Sequence, residues 1–250
     1  MARTSGLATL ALAAPLAGLL LGATALTPAQ ALDLGGGLSL TGNLTTASDY
    51  RFRGISQTKR NMTLQGTVEV SHDVGVYVSA FASNVAFQNT NARQEVDYAA
   101  GWRGEFGAFK IDLGGILYTY PEANKTLNLT YYELAAKASY SFEPVTLLAS
   151  VFYSPQFQAK SGSAWYVEGG VQVALPLDFT LDGRLGHQSI QRNARFGTPD
   201  FTTWSLGISR PMGPVTLSLA YVDTNIKRGQ CVGGQDICTA TALATLTFPF

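Results

Sequence analysis

The chain is 250 residues long, with 17 basic and 17 acidic side chains and only 14% of its residues charged. That balance leaves no basic footprint for a nucleic acid, so that partner is excluded. Sparse charge, beside 26 glycines and 11% aromatics, also makes a poor coat for a soluble globule.

Arg3 precedes an uncharged, Leu- and Ala-rich run, 4–31, that ends in Ala29-Gln30-Ala31. Small residues at the two cleavage-determining positions predict a cleaved signal peptide over 1–31 and an exported domain over 32–250. An uncleaved membrane helix is the alternative, but Pro15, Pro28 and the missing stop-transfer charges argue against it. No later apolar run reaches the roughly 18 residues of a spanning helix. The exported part is therefore either soluble or a barrel.

From residue 35 onward, short amphipathic runs alternate with Gly, Pro, Asn and Asp, and no amphipathic helix interrupts them. The first strand is expected over 37–48, followed by a polar loop to Asn61. The second, 62–71, sets Leu64, Val68 and Val70 against Gln65, Thr67, Glu69 and Ser71. His72-Asp73 turns it, and the third covers 75–85. The fourth puts Val96, Tyr98, Ala100 and Trp102 on one face and Glu95, Asp97 and Arg103 on the other. After a turn at 105–107, the fifth sets Phe109, Ile111, Leu113 and Leu117 against Lys110, Asp112, Tyr118 and Tyr120.

The sixth strand opposes Tyr132, Leu134, Ala136, Ala138 and Tyr140 to Tyr131, Glu133, Lys137 and Ser139. Glu143-Pro144 turns it into the seventh, 145–154. The eighth sets Trp165, Val167, Val171, Val173 and Leu175 against Tyr166, Glu168 and Gln172. The ninth, 179–190, carries Thr180, Asp182, Arg184 and Gln188 on its polar face. The tenth and eleventh cover 201–210 and 215–222, and a loop over 223–238 leads to the last strand, 239–250. There Ala242, Ala244, Leu246, Phe248 and Phe250 share a greasy face, while Thr241, Thr245 and Thr247 share the other, with Leu243 the exception.

In a soluble protein that last strand is a sticky edge. The edge vanishes if it pairs with the first strand and shuts a barrel whose apolar face meets lipid. Short turns at 72–73, 105–107, 143–144, 176–178 and 211–214 alternate with longer polar loops, as they do between the two ends of outer-membrane barrels. About twelve strands of roughly ten residues result, so the predicted fold is an all-β, antiparallel, up-and-down transmembrane barrel. Tyr98, Trp102, Tyr132, Tyr140, Tyr153, Trp165, Trp204, Tyr221 and Phe248 fall near strand ends and suggest aromatic girdles. The setting that follows is a Gram-negative outer membrane. Its lipid, the barrel assembly machinery and a small hydrophilic solute are the expected partners. A soluble sandwich also alternates, but nothing in it demands such regular loop lengths.

The first strand runs into Ser48-Asp49-Tyr50-Arg51-Phe52-Arg53-Gly54-Ile55-Ser56-Gln57-Thr58. This motif resembles that of the TorF family, porin-like proteobacterial proteins of unknown substrate. The resemblance continues through Ser83-Asn84-Val85, Glu95-Val96-Asp97 with Gly101-Trp102, and Tyr118-Thr119-Tyr120-Pro121, over most of the exported chain. It implies an outer-membrane barrel and a pore, and supplies neither a substrate nor catalytic residues.

Asp49, Arg51 and Arg53 are spaced two apart, on one face if the first strand continues. Inward arginines at a barrel mouth would attract and position anions. Alternatively they pair with inward carboxylates and brace the first loop. The expected lumen face sets Glu69, Glu95, Asp97, Asp112, Glu133, Glu168 and Asp182 against Arg103, Lys110, Lys137, Arg184 and Arg210. A wet pore holds such residues and a soluble core does not. Ion-pair ladders filling the barrel are the alternative, since twelve strands fall between the packed and the open sizes.

His187 and Ser189 share the outward face near the rim, an arrangement in which Ser could attack a lipid ester with His as base. No carboxylate on the outward face of either flanking strand orients the His, so the pair is read as rim residues and the chain as a non-enzyme. Cys231 and Cys238 lie close together in an exported chain and predict a disulfide in the last external loop. A two-thiol metal site is the alternative, though no His or further Cys lies nearby. No phosphate loop or metal-ligand cluster occurs, and no cofactor is expected.

Overall fold

Successive residues of a strand point to opposite faces, so a chain that alternates polar and apolar residues can wet one side and grease the other. The computed structural model describes residues 31–250 and realises that pattern. Its strands are β1 (Leu32–Gly35), β2 (Leu38–Ala47), β3 (Arg51–Phe52), β4 (Ile55–Ser56) and β5 (Thr63–His72). β6 (Val76–Asn84), β7 (Gln94–Phe106), β8 (Phe109–Thr119), β9 (Tyr131–Phe142) and β10 (Val145–Ser154) follow. β11 (Ala164–Ala174), β12 (Thr180–Ile190), β13 (Phe201–Met212), β14 (Val215–Thr224) and β15 (Thr241–Pro249) complete the set.

Each strand from β5 to β15 pairs antiparallel with the next, while β2 bonds β5 on one edge and β15 on the other. The sheet therefore closes into a twelve-strand barrel, as the alternation of the sequence predicts. Gly42 and Phe250 exchange backbone hydrogen bonds of 2.8 and 2.9 Å at the lower end of this seam. Outward residues such as Leu64, Leu134, Leu185, Leu206 and Leu219 are exposed, with Tyr98, Trp102, Tyr132, Trp165 and Phe248 among the exposed aromatics. Moving one Leu of this kind from water into hydrocarbon contributes on the order of 1.5–3 kcal/mol, which makes lipid the natural solvent of that face.

Four local expectations are corrected. Leu32–Gly35 forms a strand the sequence pattern did not indicate. Its pairs Leu32↔Leu40 and Asp33↔Ser39 fill the edge of β2 below the end of β15, where bare backbone would otherwise face lipid. β13 continues through Pro211 and Met212, and β14 through Asp223 and Thr224, shortening the expected turn and loop. Pro211 is tolerated because it falls at a strand end. Thr239 and Ala240 do not belong to the last strand, since their carbonyls are taken by arginines of the first loop. Finally, the first loop is no solvated connection. It carries the β3–β4 hairpin and folds into the barrel, because Tyr50 and Ile55 find apolar surroundings there. The expected signal peptide falls, but for Ala31, outside the described residues.

Candidate functional site

Two residues beyond the end of β2, Asp49 accepts from Arg51 Nε at 2.6 Å, Ser56 Oγ at 2.5 Å and Thr58 Oγ1 at 2.8 Å. One carboxylate thus pins both limbs of the loop. Arg51 Nη1 donates to the carbonyls of Gly54, Ile237 and Thr239 at 2.9, 3.0 and 3.2 Å. Fully buried, Arg51 binds the first external loop to the last through Nε and Nη1, while its Nη2 has no partner among the described residues. The expectation that Asp49, Arg51 and Arg53 share a strand face is therefore corrected. The strand ends at Ala47, and the two arginines go to different places.

Arg53 reaches across the lumen. Its guanidinium donates to both oxygens of Glu133 on β9, at 3.0 and 2.7 Å, and to Gln188 Oε1 on β12 at 2.7 Å. Rings of Phe52, Phe152 and Tyr166 surround it, with centroids 4.6, 5.1 and 4.4 Å from its central carbon. Tyr118 also donates to Glu133, at 3.1 Å. Burial alone would lower the Arg53 guanidinium, but the Glu133 charge and hydrogen bonds, with smaller contributions from Tyr118 and Tyr131, together hold the group above its ordinary value. Arg53 itself sits at φ 48°, a left-handed conformation that costs a non-glycine residue about 1–2 kcal/mol. Next to it Gly54 lies so close to Thr203 and Thr224 that no Cβ would fit.

Tyr50 completes the crossing on the near wall. Its hydroxyl donates to Glu95 at 2.5 Å, and its ring packs edge-on against Phe81. Burial, then the Glu95 and Asp97 charges, push this phenol well above its ordinary range, so it remains a donor. The loop therefore touches every strand from β6 to β14 within the first few residues of their external ends. It is a plug.

Below the plug the lumen is ion-paired. Arg103 forks onto Glu69 at 2.5 and 2.9 Å, meets Asp112 at 3.3 Å and lies 3.8 Å over the Tyr77 ring. Lys137 adds a contact of 3.6 Å to Asp112. On the β11–β12 wall, Arg184 pairs with Asp182 at 2.9 Å and Glu168 at 3.6 Å. Lys110 pairs with Glu105 at 2.7 Å near the short-turn end. Among the described residues, neither carboxylate oxygen of the buried Asp97 is bonded, and Arg210, its Nε unpaired, lies 5.1 Å over the Phe179 ring.

Sequence reasoning placed these charges, Tyr118 and Tyr166 inward, but missed Phe152 and the packing of all three rings round the plug. The polar-face positions of Tyr118 and Tyr166 were the available signal. His187 faces out, its Nδ1 3.1 Å from Thr202 Oγ1. Cys231 and Cys238 form a disulfide, with Cα atoms 5.9 Å apart. Their loop supplies the Ile237 carbonyl that Arg51 grips. Above the plug, the external loops enclose a cavity of about 170 Å3.

Solved structures share this architecture. A KdgM porin aligns with a TM-score of 0.57 at 10% identity, over 84% of this chain and 99% of its own. A NanC porin aligns with a TM-score of 0.54 at 15% identity, over 84% and 98%. A KdgM porin in complex with disordered oligogalacturonate gives 0.56 at 10%, over 84% and 99%. No curated protein matches the chain significantly. A family profile spans residues 32–250, from the first short strand to the end of the barrel, and the chain belongs to that family, Gcw_chp, described as bacterial protein of unknown function.

Proposed function

We propose that this protein is an outer-membrane channel for small hydrophilic solutes, closed by its first external loop and opened when the tip of that loop, around Phe52 to Ile55, leaves the lumen. The observation that carries the reading is the Arg53 bridge to Glu133 and Gln188, which holds the plug across a lumen that is polar and ion-paired beneath it. A polar, charged wall below the plug is what a path for hydrophilic solutes needs. The TorF resemblance fits the same reading, because the motif that carries it, Ser48 to Thr58, is the plug. Outer-membrane lipid and the barrel assembly machinery are the surroundings such a barrel requires. We read the chain as non-catalytic, since His187 bonds Thr202 rather than an orienting acid.

A second reading, a permanently filled structural barrel, draws on the aromatic cluster that packs under the loop. Planar-bilayer recording of refolded protein separates the two. The channel reading expects rare or small openings from the natural chain and at least ~10-fold greater open probability from Arg53→Ala, since loss of one buried charge pair is worth more than the 1.4 kcal/mol of a tenfold shift. Silence from both proteins leaves the filled barrel standing. Equal conductance from both removes the plug.

A further inference from the structure

The outer surface of the plug floors the cavity of about 170 Å3, a space for which conduction alone gives no role. A cavity near 150 Å3 holds a benzene, so this one admits a single six-membered ring. Its walls are themselves rings. Phe87 lies 5.4 Å from Tyr120, and Phe157 sits between Tyr131, met edge-on at 4.7 Å, and Phe196, tilted against it at 5.3 Å.

Amides supply its polar groups. Gln57 and Gln235 commit their nitrogens to the carbonyls of Ile55 and Val232, at 2.9 and 3.0 Å, which leaves their oxygens to accept. Gln88 and Gln158 line the same cavity, and neither amide is hydrogen-bonded among the described residues. Arg53 is the one charged side chain of the lining; Glu133 matches its charge and, with Gln188, takes three of its five N–H donors.

We propose that this vestibule is a binding site for a neutral pyranose, a free sugar or the end residue of a saccharide. A pyranose offers C–H faces to aromatic rings and hydroxyls round its edge to amides, which both donate and accept. An apolar ring leaves the amides unpaired. An anionic ring finds no unmatched cation and loses its hydration. The proposal names the solute class of the channel reading and rests on that reading for its purpose, though not for its measurement.

Titration calorimetry on the refolded full barrel, in a sugar-free zwitterionic detergent, tests it with methyl β-D-glucopyranoside, glucuronate and cyclohexanol. The glucoside should bind, and the other two should bind at least ~10-fold more weakly, the scale of one or two unpaired hydrogen-bonding groups. Gln88→Ala combined with Gln158→Ala should weaken the glucoside ~10-fold on the same ground. Phe87→Leu should weaken it with the amides intact. These positions lie in loops, and heat-modifiable migration verifies that each variant still forms its barrel. No glucoside binding, equal binding of glucuronate or cyclohexanol, or unchanged affinity in the variants overturns the site. Conductance without binding counts against the site alone, and binding without conductance against the channel alone.

Discussion

Arg53 is held by a carboxylate, an amide and three aromatic faces at once, and substitution can separate these contributions. Removing one partner of a buried pair leaves the other charge unmatched, which costs about 3–5 kcal/mol. Glu133→Gln should therefore lower the unfolding free energy of the refolded barrel, read from denaturant titration, by an amount in that range. Arg53→Met together with Glu133→Gln should restore most of the loss, because the pair disappears as a unit. Additive losses in the double variant would mean that the aromatic cage, not the charge pair, anchors the loop. The inward position of Glu133 was legible from the alternation of β9. Its partner was not, because Arg53 and Glu133 lie 80 residues apart and meet only once the loop leaves the strand pattern. Period-two reading ends where a strand ends, so it had no means of following Asp49, Arg51 and Arg53 into the lumen.

Strand order, number and facing were all legible, since eleven hairpin-like connections follow from local alternation and turn residues. Less visible were elements defined by what they dock against. The strand Leu32–Gly35 is too short to show a period, and the Arg51–Ser56 hairpin hides in a run that reads as polar. The last loop is a comparable case. Its disulfide was expected, but not its grip on the first loop through Ile237. Replacing Cys231 and Cys238 by Ser should cost about 2–3 kcal/mol by the loop-entropy model for so short a ring. Trypsin should then cut the 225–240 loop faster, and an unchanged cleavage rate would show the loop held by Arg51 and Arg60 alone. At the other end of β15, Phe250 lies against Gly42 so closely that a Cβ there would stand 2.5 Å from its ring. Phe250→Ser removes that packing at the seam. Less heat-modifiable barrel should reach the outer membrane, and a normal yield would count against a closing role for this residue.

Across the whole lumen, charge is close to balanced. Arg51 is matched by Asp49 within the plug and Arg53 by Glu133 on β9, so they do not make the mouth anion-seeking. Glu95, which Tyr50 grips, and Asp97 lie on β7 at the level of the plug. Below it, Glu69, Asp112, Glu168 and Asp182 face Arg103, Lys137, Arg184 and Arg210, four against four. The open channel should therefore discriminate weakly between potassium and chloride in a gradient of their salt. A strongly selective reversal potential at low salt, where screening is least, would place the deciding charges elsewhere. The bonds of Arg51 set a mechanical limit on any such opening. They join the chain just after β2 to the chain just before β15, the two strands of the closing seam, and Arg60 repeats the join with Asp236 at 3.2 Å. Withdrawing the whole loop would unfasten the barrel at its weakest line. The moving part is thus confined to the tip around Phe52 to Ile55, a latch of short stroke that swings on a fixed post, and solutes must pass beside the post rather than through an emptied mouth.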